Sequence, residues 1–560
     1  MKKGSAVLFT AALLGIVYAG MAIALPAGAF FSADEGVRFL QIDSLWRWHW
    51  TSPAPVASGG GLDPEGEYAP PGMGRTDGSF ASRFPMMFPF VASIPHVLFG
   101  VRGALLLPAL AVILCMVLTA RLAGFVLPGS LSGLAGAAAV VTTPLVVRGA
   151  MLRDETMAAL LLTAGLIPIC KAAGLDPAAR PGHALRLAMA GGVLLGLAGA
   201  TSYPAFLVTP AVVVAGLIVW GVPRFGARAL AIVAGSAAIA VLRALYHGAW
   251  LPSLPEEQPR FFGALAARIL PQMARPWFAG ACVLLSLLWL MRGRLAGRIP
   301  PAVLPASAAL LALALLVAGP FATMVATLTD APLSAKERGL GSLMNVMPLL
   351  ALLPLTVLPA RGPAFPHLRF LSMVVLLFVV STSVLLPAPP GLTWGPAMLM
   401  PVAGLVAVVL MAMMVDRREQ PGGRLAMIFL WAALAIGVAV QGVGLRFVAS
   451  VRYYNAAILD KVKSSVAEGG VILTDLPDIP FLLASLSPET PCLVVKEGAD
   501  VESLTGRIEE AAKTSFWIVR AKSKAGFPRG AQVDLGAGLA LLRHEAEAGV
   551  RGFMRLPAGD

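Results

Sequence analysis

The chain has 560 residues, of which 58% are hydrophobic and only 13% are charged. This composition excludes a soluble globular protein and indicates a polytopic membrane protein. The formal net charge of +13 does not indicate nucleic-acid binding, because most arginines lie in short segments between apolar stretches, where they set membrane topology.

A membrane-crossing helix needs about 20 apolar residues. The sequence predicts thirteen such spans, at 5–25, 103–120, 126–147, 157–170, 187–201, 205–220, 229–246, 277–291, 303–326, 343–358, 370–386, 396–415 and 425–443. The apolar segment 86–100 contains Pro89 and Pro95 and is short. It is therefore predicted to lie at the membrane interface or to be re-entrant, not to span.

The orientation follows from the arginines. With the N-terminus in the cytoplasm, the arginine-rich loops fall inside and the acidic loops fall outside, as the positive-inside rule requires. The C-terminal segment is then extracytoplasmic. The predicted location is the inner (plasma) membrane of a bacterium, with many passes through the bilayer.

Two domains are predicted. A transmembrane domain covers 1–445 and includes a first extracytoplasmic loop, 26–101, with interfacial helices; Trp46 and Trp50 in this loop are expected to anchor it at the headgroups, with sugar stacking as the alternative. From about Arg446 to the end, at 446–560, short apolar strands alternate with helices, which predicts a small α/β domain with a largely parallel sheet. Because no glycine-rich phosphate loop follows its strands, this domain is interpreted as accessory.

The first candidate site is an acidic pair, Asp34 and Glu35, immediately after the first span. Charge so close to hydrocarbon is expensive and usually functional. The alternative is that the two carboxylates only stabilise the first turn of the helix that follows, where acidic residues are favoured.

A second acidic pair, Asp154 and Glu155, lies at the start of the fourth span and is expected to converge with the first on one site. A transfer from a lipid-phosphate donor needs a base for the incoming hydroxyl and cations for the departing phosphate. The cationic candidates near the outer face are Arg148, Arg153, Arg243 and Arg338. For each arginine the alternative is a side chain that extends to the lipid headgroups.

These residues carry a family resemblance. Asp34-Glu-Gly-x-x-x-Leu-Gln41 resembles the first-loop acidic motif of C-type (GT-C) integral membrane glycosyltransferases, a superfamily that includes protein O-mannosyltransferases and the aminoarabinose transferases of lipid A, both similar to glycosyltransferase family 39. Arg153-Asp-Glu-Thr156 resembles the second acidic motif of that superfamily. Gly196 to Pro204 resembles a further segment, except that Tyr203 replaces a basic residue found in relatives.

The resemblance implies a GT-C-like fold and a hexosyl- or pentosyltransferase with a polyprenyl-phosphate-linked sugar as donor. The acceptor would be an envelope lipid, glycan or protein, with Asp34 as catalytic base beside Glu35. Some relatives bind a divalent cation (Mg²⁺ or Mn²⁺) between the two acidic motifs, which here would involve Asp34, Asp154 and Glu155, and others need none. The sequence leaves both possibilities open.

Two other function classes compete with this interpretation. A transporter or a lipid or glycolipid flippase is the first alternative, although transport sites lie near the membrane midplane and the ionisable groups here cluster towards one face. A non-catalytic scaffold that displays the C-terminal domain is the second, and it leaves the long first loop unexplained.

Overall fold

The computed structural model describes about two thirds of the chain. The described residues are 5–47, 49–50, 62–63, 67–68, 73–76, 79–82, 84–175, 181–247, 303–317, 346–352, 365–385, 397–416, 418, 423–466, 470–476, 479–486, 490–495, 504, 506–508, 515–521, 532–536 and 539–545. The predicted eighth span, 277–291, lies outside them, as do the acidic loop residues Glu256, Glu257 and Asp330.

Helices account for most of these residues. In chain order they are α1 (Ser5–Ala24), α2 (Ala33–Arg47), α3 (Met87–Ala123), α4 (Gly129–Val141), α5 (Leu145–Arg148), α6 (Glu155–Gly174), α7 (Pro181–Thr201), α8 (Val208–Trp220), α9 (Val222–His247), α10 (Val303–Leu316), α11 (Phe365–Leu385), α12 (Met400–Asp416), α13 (Gly423–Ser465) and α14 (Ile479–Leu482). Short 3-10 turns occupy Tyr203–Leu207, Pro348–Leu352, Ala397–Leu399 and Ala484–Leu486.

The described part of the chain contains seven strands, which form a two-stranded hairpin and a five-stranded sheet. β1 (Met73–Thr76) and β2 (Ser79–Ser82) form an antiparallel hairpin. A five-stranded sheet contains β3 (Val471–Thr474), β4 (Cys492–Val494), β5 (Ser515–Ala521), β6 (Gln532–Gly536) and β7 (Leu539–Glu545), in the order β4-β3-β5-β7-β6.

The chain divides into two compact units. The bundle unit comprises Met1–Gly20 and Pro108–Phe447, and the loop unit comprises Met21–Leu107 and Val448–Asp560. The predicted domain boundary at 445 thus lies close to one of the divisions. Most of the segment predicted as the first extracytoplasmic loop, 26–101, however, clusters with the C-terminal segment in the loop unit.

Within the described residues, seven helices are long and apolar enough to cross a membrane: α1, α3, α6, α7, α9 and α13, together with the helical stretch Tyr203–Trp220. They confirm the predicted polytopic helical membrane protein. Three shorter apolar helices, α4, α11 and α12, coincide with further predicted spans. The count of thirteen spans stays a prediction.

The predicted third span, 126–147, is interrupted in the structure. α4 ends at Val141, and a separate short helix α5 begins at Leu145. Two threonines end α4, because the Thr142 and Thr143 hydroxyls donate to the carbonyls of Ala138 and Ala139, each at 2.7 Å. Pro144 follows and has no N–H to continue the helix.

The interfacial segment predicted at 86–100 is set apart from the span that follows it. Gly100 lies inside α3 with φ 61° and ψ −152°, a conformation essentially restricted to glycine. Before this break, α3 exposes a row of large apolar side chains: Phe90, Ile94, Val97, Leu98 and Phe99. A helix with that surface fits the predicted interfacial placement.

In the loop unit, residues of the first loop are part of the core beside the five-stranded sheet. Leu62 and Tyr68 are buried with Val471, Leu493 and Ile518. The Val494 N–H donates to the Tyr68 carbonyl at 2.9 Å. β4 is an edge strand, so this bond pairs a backbone group that would otherwise be open at the sheet edge.

The sheet is mixed, not largely parallel as predicted. β3 pairs in parallel with β4 and β5, whereas β5 pairs antiparallel with β7, and β7 pairs antiparallel with β6. The predicted strands at 471–475, 492–496 and 515–520 form the parallel half. The antiparallel half comes from 532–545, which the sequence pattern did not identify as strands.

Candidate functional site

Asp34 and Glu35 occupy the first turn of α2. This turn begins with the Glu35 and Gly36 N–H groups donating to the Ser32 carbonyl, at 3.1 and 3.3 Å. Carboxylates are stabilised there by the unpaired N–H groups at a helix start. The helix-stabilising interpretation of the pair is therefore physically sound, but the two side chains differ in their surroundings.

Glu35 is completely buried, with an exposed fraction of 0%. Its Oε2 lies 3.2 Å from Nη2 of Arg452, which is also buried, and accepts a hydrogen bond from the Phe31 N–H at 3.3 Å. A buried carboxylate requires such a counter-ion, because removing one charge alone from water is very costly. Arg452 thus neutralises Glu35 within the loop unit.

Asp34, in contrast, is only partly buried. Its backbone carbonyl accepts a hydrogen bond from Arg38 Nη1 at 3.1 Å. The Arg38 guanidinium lies 4.1 Å from the centre of the Phe84 ring, a cation–π distance. Arg38 thus contacts both the main chain of Asp34 and the Phe84 ring.

α2 packs directly on α14 through Gly36. A Cβ atom added at Gly36 would lie 2.6 Å from the Phe481 carbonyl carbon, a separation that real Cβ atoms essentially never show. Only glycine permits this approach. The first turn of α2 is therefore fixed against a helix that follows it by more than 400 residues in the chain.

The second acidic pair belongs to a buried cluster in the bundle unit. α5 ends at Arg148, a turn follows, and α6 begins at Glu155 with Asp154 as its preceding residue. Glu155 Oε1 lies 3.5 Å from Arg148 Nη1 and 3.9 Å from Arg153 Nη1. Arg148, Arg153, Asp154 and Glu155 are all buried.

This cluster contains two cations and two carboxylates, so its formal charges balance. The turn that carries it is packed against α1, where the Tyr18 hydroxyl donates to the Val146 carbonyl at 2.7 Å. A burial of this kind is tolerated only because the charges compensate one another. The predicted role of Arg148 and Arg153 in binding the donor phosphate stays a prediction.

The cluster bears on the metal question. Among the described residues, no three His, Cys, Asp or Glu side chains come together as a metal site. Glu155 faces two guanidinium groups, which repel a divalent cation and already occupy one carboxylate oxygen. The assignment of Asp34, Asp154 and Glu155 as ligands of a divalent cation stays a prediction.

The side chains of two other predicted site residues lie outside the described part of the structure. Arg243 is on α9, with its side chain outside the described residues, and Arg338 lies entirely outside them. The two acidic pairs belong to different units. Their predicted convergence on one site stays a prediction.

Sequence reasoning missed two features of the loop unit. Arg452 is one, since nothing in the sequence near Glu35 indicates a partner 417 residues away. The other is Asp43, which pairs with Arg47 on the same helix and with His96 Nε2 at 3.6 Å. Burial raises the pKa of Asp43, but hydrogen bonds and charge from His96 and Arg47 outweigh it and leave the pKa below its usual value.

The predicted aromatic anchor has a defined structure where it is described. The Trp46 ring lies 5.5 Å from the Trp50 ring, edge to face, and the Trp50 indole N–H donates to the Ser93 hydroxyl at 2.7 Å. His49 and Trp50 both have positive φ, at 50° and 58°. Trp46 is exposed, which agrees with a headgroup anchor.

No protein-family model matches the sequence, and no curated protein sequence matches it. Among solved structures, the chain is similar to ArnT from Cupriavidus metallidurans in the apo state, at 15% identity and a TM-score of 0.45, over 96% of this chain and 98% of that one. ArnT bound to undecaprenyl phosphate gives 16% identity and a TM-score of 0.45, over 95% and 97%. The oligosaccharyltransferase of Archaeoglobus fulgidus in the apo form gives 12% identity and 0.45, over 92% and 70%.

Proposed function

We propose that the protein is a membrane glycosyltransferase that moves a sugar from a polyprenyl-phosphate-linked donor to an acceptor of the bacterial envelope at the outer face of the inner membrane. The observation that carries the proposal is the first turn of α2. There Asp34, which is partly exposed, is next to Glu35, which is buried and neutralised by Arg452. The proposal assigns the base to the partly exposed carboxylate, and its fully buried neighbour holds the turn in place.

The proposed reaction is a displacement at the anomeric carbon of the donor sugar. Asp34 takes the proton from the acceptor hydroxyl as that oxygen bonds to the anomeric carbon. The bond between this carbon and the phosphate oxygen breaks, and polyprenyl phosphate leaves with the bonding electrons. Positive charge near the departing phosphate lowers the barrier.

Arg148 and Arg153, with Arg243 and Arg338, are proposed to supply that positive charge. Support comes from Arg148 and Arg153, whose guanidinium groups both lie within 4 Å of Glu155 Oε1. Asp154 and Glu155 are proposed to hold these arginines in place. The segments Asp34–Gln41 and Arg153–Thr156 resemble the two acidic motifs of GT-C enzymes, and this resemblance supports the same assignment.

The test follows a product that is common to every acceptor. Purified protein in lipid nanodiscs is given a panel of undecaprenyl-phosphate-linked sugars with an envelope extract, and release of undecaprenyl phosphate is measured. Asp34→Asn should lower the rate by about 10²–10⁴-fold, as expected for loss of a general base. Asn is a good residue at a helix start, so the helix-stabilising role alone predicts near-normal transfer.

Asp43→Asn is the matched control. It makes the same chemical change on the same helix, at a carboxylate already paired with Arg47. Near-normal release by Asp34→Asn, or an equal loss in both variants, would remove Asp34 from the catalytic role. Movement of labelled lipid across the membrane with no sugar transfer would favour a flippase instead.

A further inference from the structure

Arg452 forms an ion pair with Glu35 that neither acidic motif predicts. It lies on α13, and its only ion pair among the described residues is with Glu35, at 3.2 Å. The two exposed fractions are 3% for Arg452 and 0% for Glu35. This pair therefore joins the C-terminal half of α13 to the first turn of α2, inside the loop unit.

The neighbours of Arg452 on α13 hold the segment that leads into that turn. The Tyr453 hydroxyl donates to the Ala24 carbonyl at 2.9 Å, and Asn455 Nδ2 donates to the Phe30 carbonyl at 2.7 Å. With the ion pair, one turn of α13 contacts the connecting segment at its beginning, near its end and just beyond it. The backbone between α1 and α2 is thereby held along its length.

The geometry of the ion pair does not favour a large contribution to the free energy of folding. Contact runs through a single pair of atoms, and within the described part of the chain neither Glu35 Oε1 nor Arg452 Nε has a hydrogen-bond partner. A buried pair that leaves polar atoms unsatisfied does not recover its desolvation cost and is often matched by apolar residues of similar volume. What such a pair supplies, and an apolar contact does not, is a directional restraint on the Glu35 carboxylate.

We propose that Arg452 is a positioning residue for the proposed transfer. It holds Glu35 and so fixes the first turn of α2, on which Asp34 is the adjacent residue. This proposal rests on the proposed function. Misplacement of a reacting group by about 1 Å costs about 10²-fold in rate, and that loss falls on kcat because the donor need not contact Arg452.

The experiment compares Arg452→Met, Arg452→Lys and Glu35→Gln with the wild-type protein in nanodiscs. Arg452→Met should lower kcat for undecaprenyl phosphate release by about 10²-fold with little change in the donor KM. Arg452→Lys keeps the charge and should recover part of the rate. In Glu35→Gln/Arg452→Met the loss should be no larger than in Arg452→Met, because both changes remove one interaction.

A second readout separates positioning from unfolding and from the proposed function. Amide hydrogen exchange over residues 24–40 should quicken in Arg452→Met while exchange in α6 and α7 stays as in the wild type. Lys463→Met, at an exposed position of α13, is the control and should change neither readout.

Any of the following results would overturn the proposal: a kcat of Arg452→Met close to wild type, a loss of activity with unchanged exchange in 24–40, or a double variant much worse than Arg452→Met. A fall in donor affinity with unchanged kcat would also overturn it, since Arg452 would then bind donor. If the wild-type protein released no undecaprenyl phosphate with any donor, the proposed function would fail, and the exchange data would still decide whether Arg452 fixes the turn.

Discussion

The two acidic pairs are assembled in opposite ways. In the bundle unit, Glu155 meets Arg148 and Arg153, which lie seven and two residues before it in the sequence. In the loop unit, Glu35 meets Arg452, 417 residues later. One cluster is thus a local turn, whereas the other exists only when both ends of the chain have folded together. The two should respond differently to substitution.

The local cluster offers the largest expected effect on stability. Arg148→Met leaves the buried Glu155 with Arg153 as its remaining ion-pair partner of the two, at 3.9 Å. Breaking a buried pair in this way typically costs about 3–5 kcal/mol, so the midpoint of thermal unfolding in detergent should fall clearly.

Adding Glu155→Gln to Arg148→Met removes the uncompensated charge and should recover part of the loss. A thermal midpoint of Arg148→Met equal to that of the wild type would mean that the bundle cluster does not depend on its charges. The contrast with the loop unit would then disappear.

Gly36 tests the long-range assembly. Gly36→Ala brings a Cβ atom to 2.6 Å from the Phe481 carbonyl carbon, so α2 and α14 must separate. The expected loss is about 1–3 kcal/mol, seen as faster proteolysis within the first loop. Gly442→Ala is the control, because nothing lies within 4 Å of its added Cβ; equal protease resistance of the two variants would contradict the close contact.

Gly100 tests backbone conformation without crowding. No atom lies within 4 Å of an added Cβ, but φ is 61°. Gly100→Ala should therefore cost about 1–3 kcal/mol through strain alone, measured by thermal unfolding. Gly20→Ala, also uncrowded and without a positive φ, should be neutral, and a neutral Gly100→Ala would show that α3 continues through this position.

Of these residues, Asp43 should have the smallest effect on stability. Its ion pair with Arg47 shows how much a partly exposed pair contributes, in contrast to the buried ones. Its folded pKa lies below the unfolded value, so its stabilising contribution is present above about pH 4 and is lost as the pH falls through the folded pKa. Because Arg47 is largely exposed, the contribution should be at most about 1 kcal/mol. Between pH 5 and pH 3 the thermal midpoint should fall less in Asp43→Asn than in the wild type; an identical fall would exclude this linkage.

Locality also explains what the sequence could predict. Asp154, Glu155 and the two arginines before them could be grouped from the sequence because they share one turn. Separate spans were predicted at 187–201 and 205–220, and the structure places a 3-10 turn at Tyr203–Leu207. The hairpin of β1 and β2 was missed, although Asp77-Gly78 between them is a strong turn signal.

Non-local pairings could not be predicted in the same way. Tyr68 reads as an ordinary loop residue, yet it is buried in the core beside the sheet. Arg452 lies in a polar part of α13, where the sequence pattern does not distinguish it from an ordinary surface cation. The prediction of a largely parallel sheet was wrong, because apolar and polar residues alternate only weakly along β6 and β7. The pairing of β7 with β5 depends on tertiary contacts and not on a local sequence pattern.

The separation of Glu35 and Arg452 has a consequence for synthesis of the protein in the cell. Translation proceeds at about 5–20 residues per second, so the 417 intervening residues delay Arg452 by about 20–80 s after Glu35 is made. Throughout that interval the first turn of α2 lacks its counter-ion, and Tyr68 lacks the strands that bury it. Until α13 and the strands after it emerge, the nascent chain therefore holds an incomplete first loop that a protease or a chaperone could recognise.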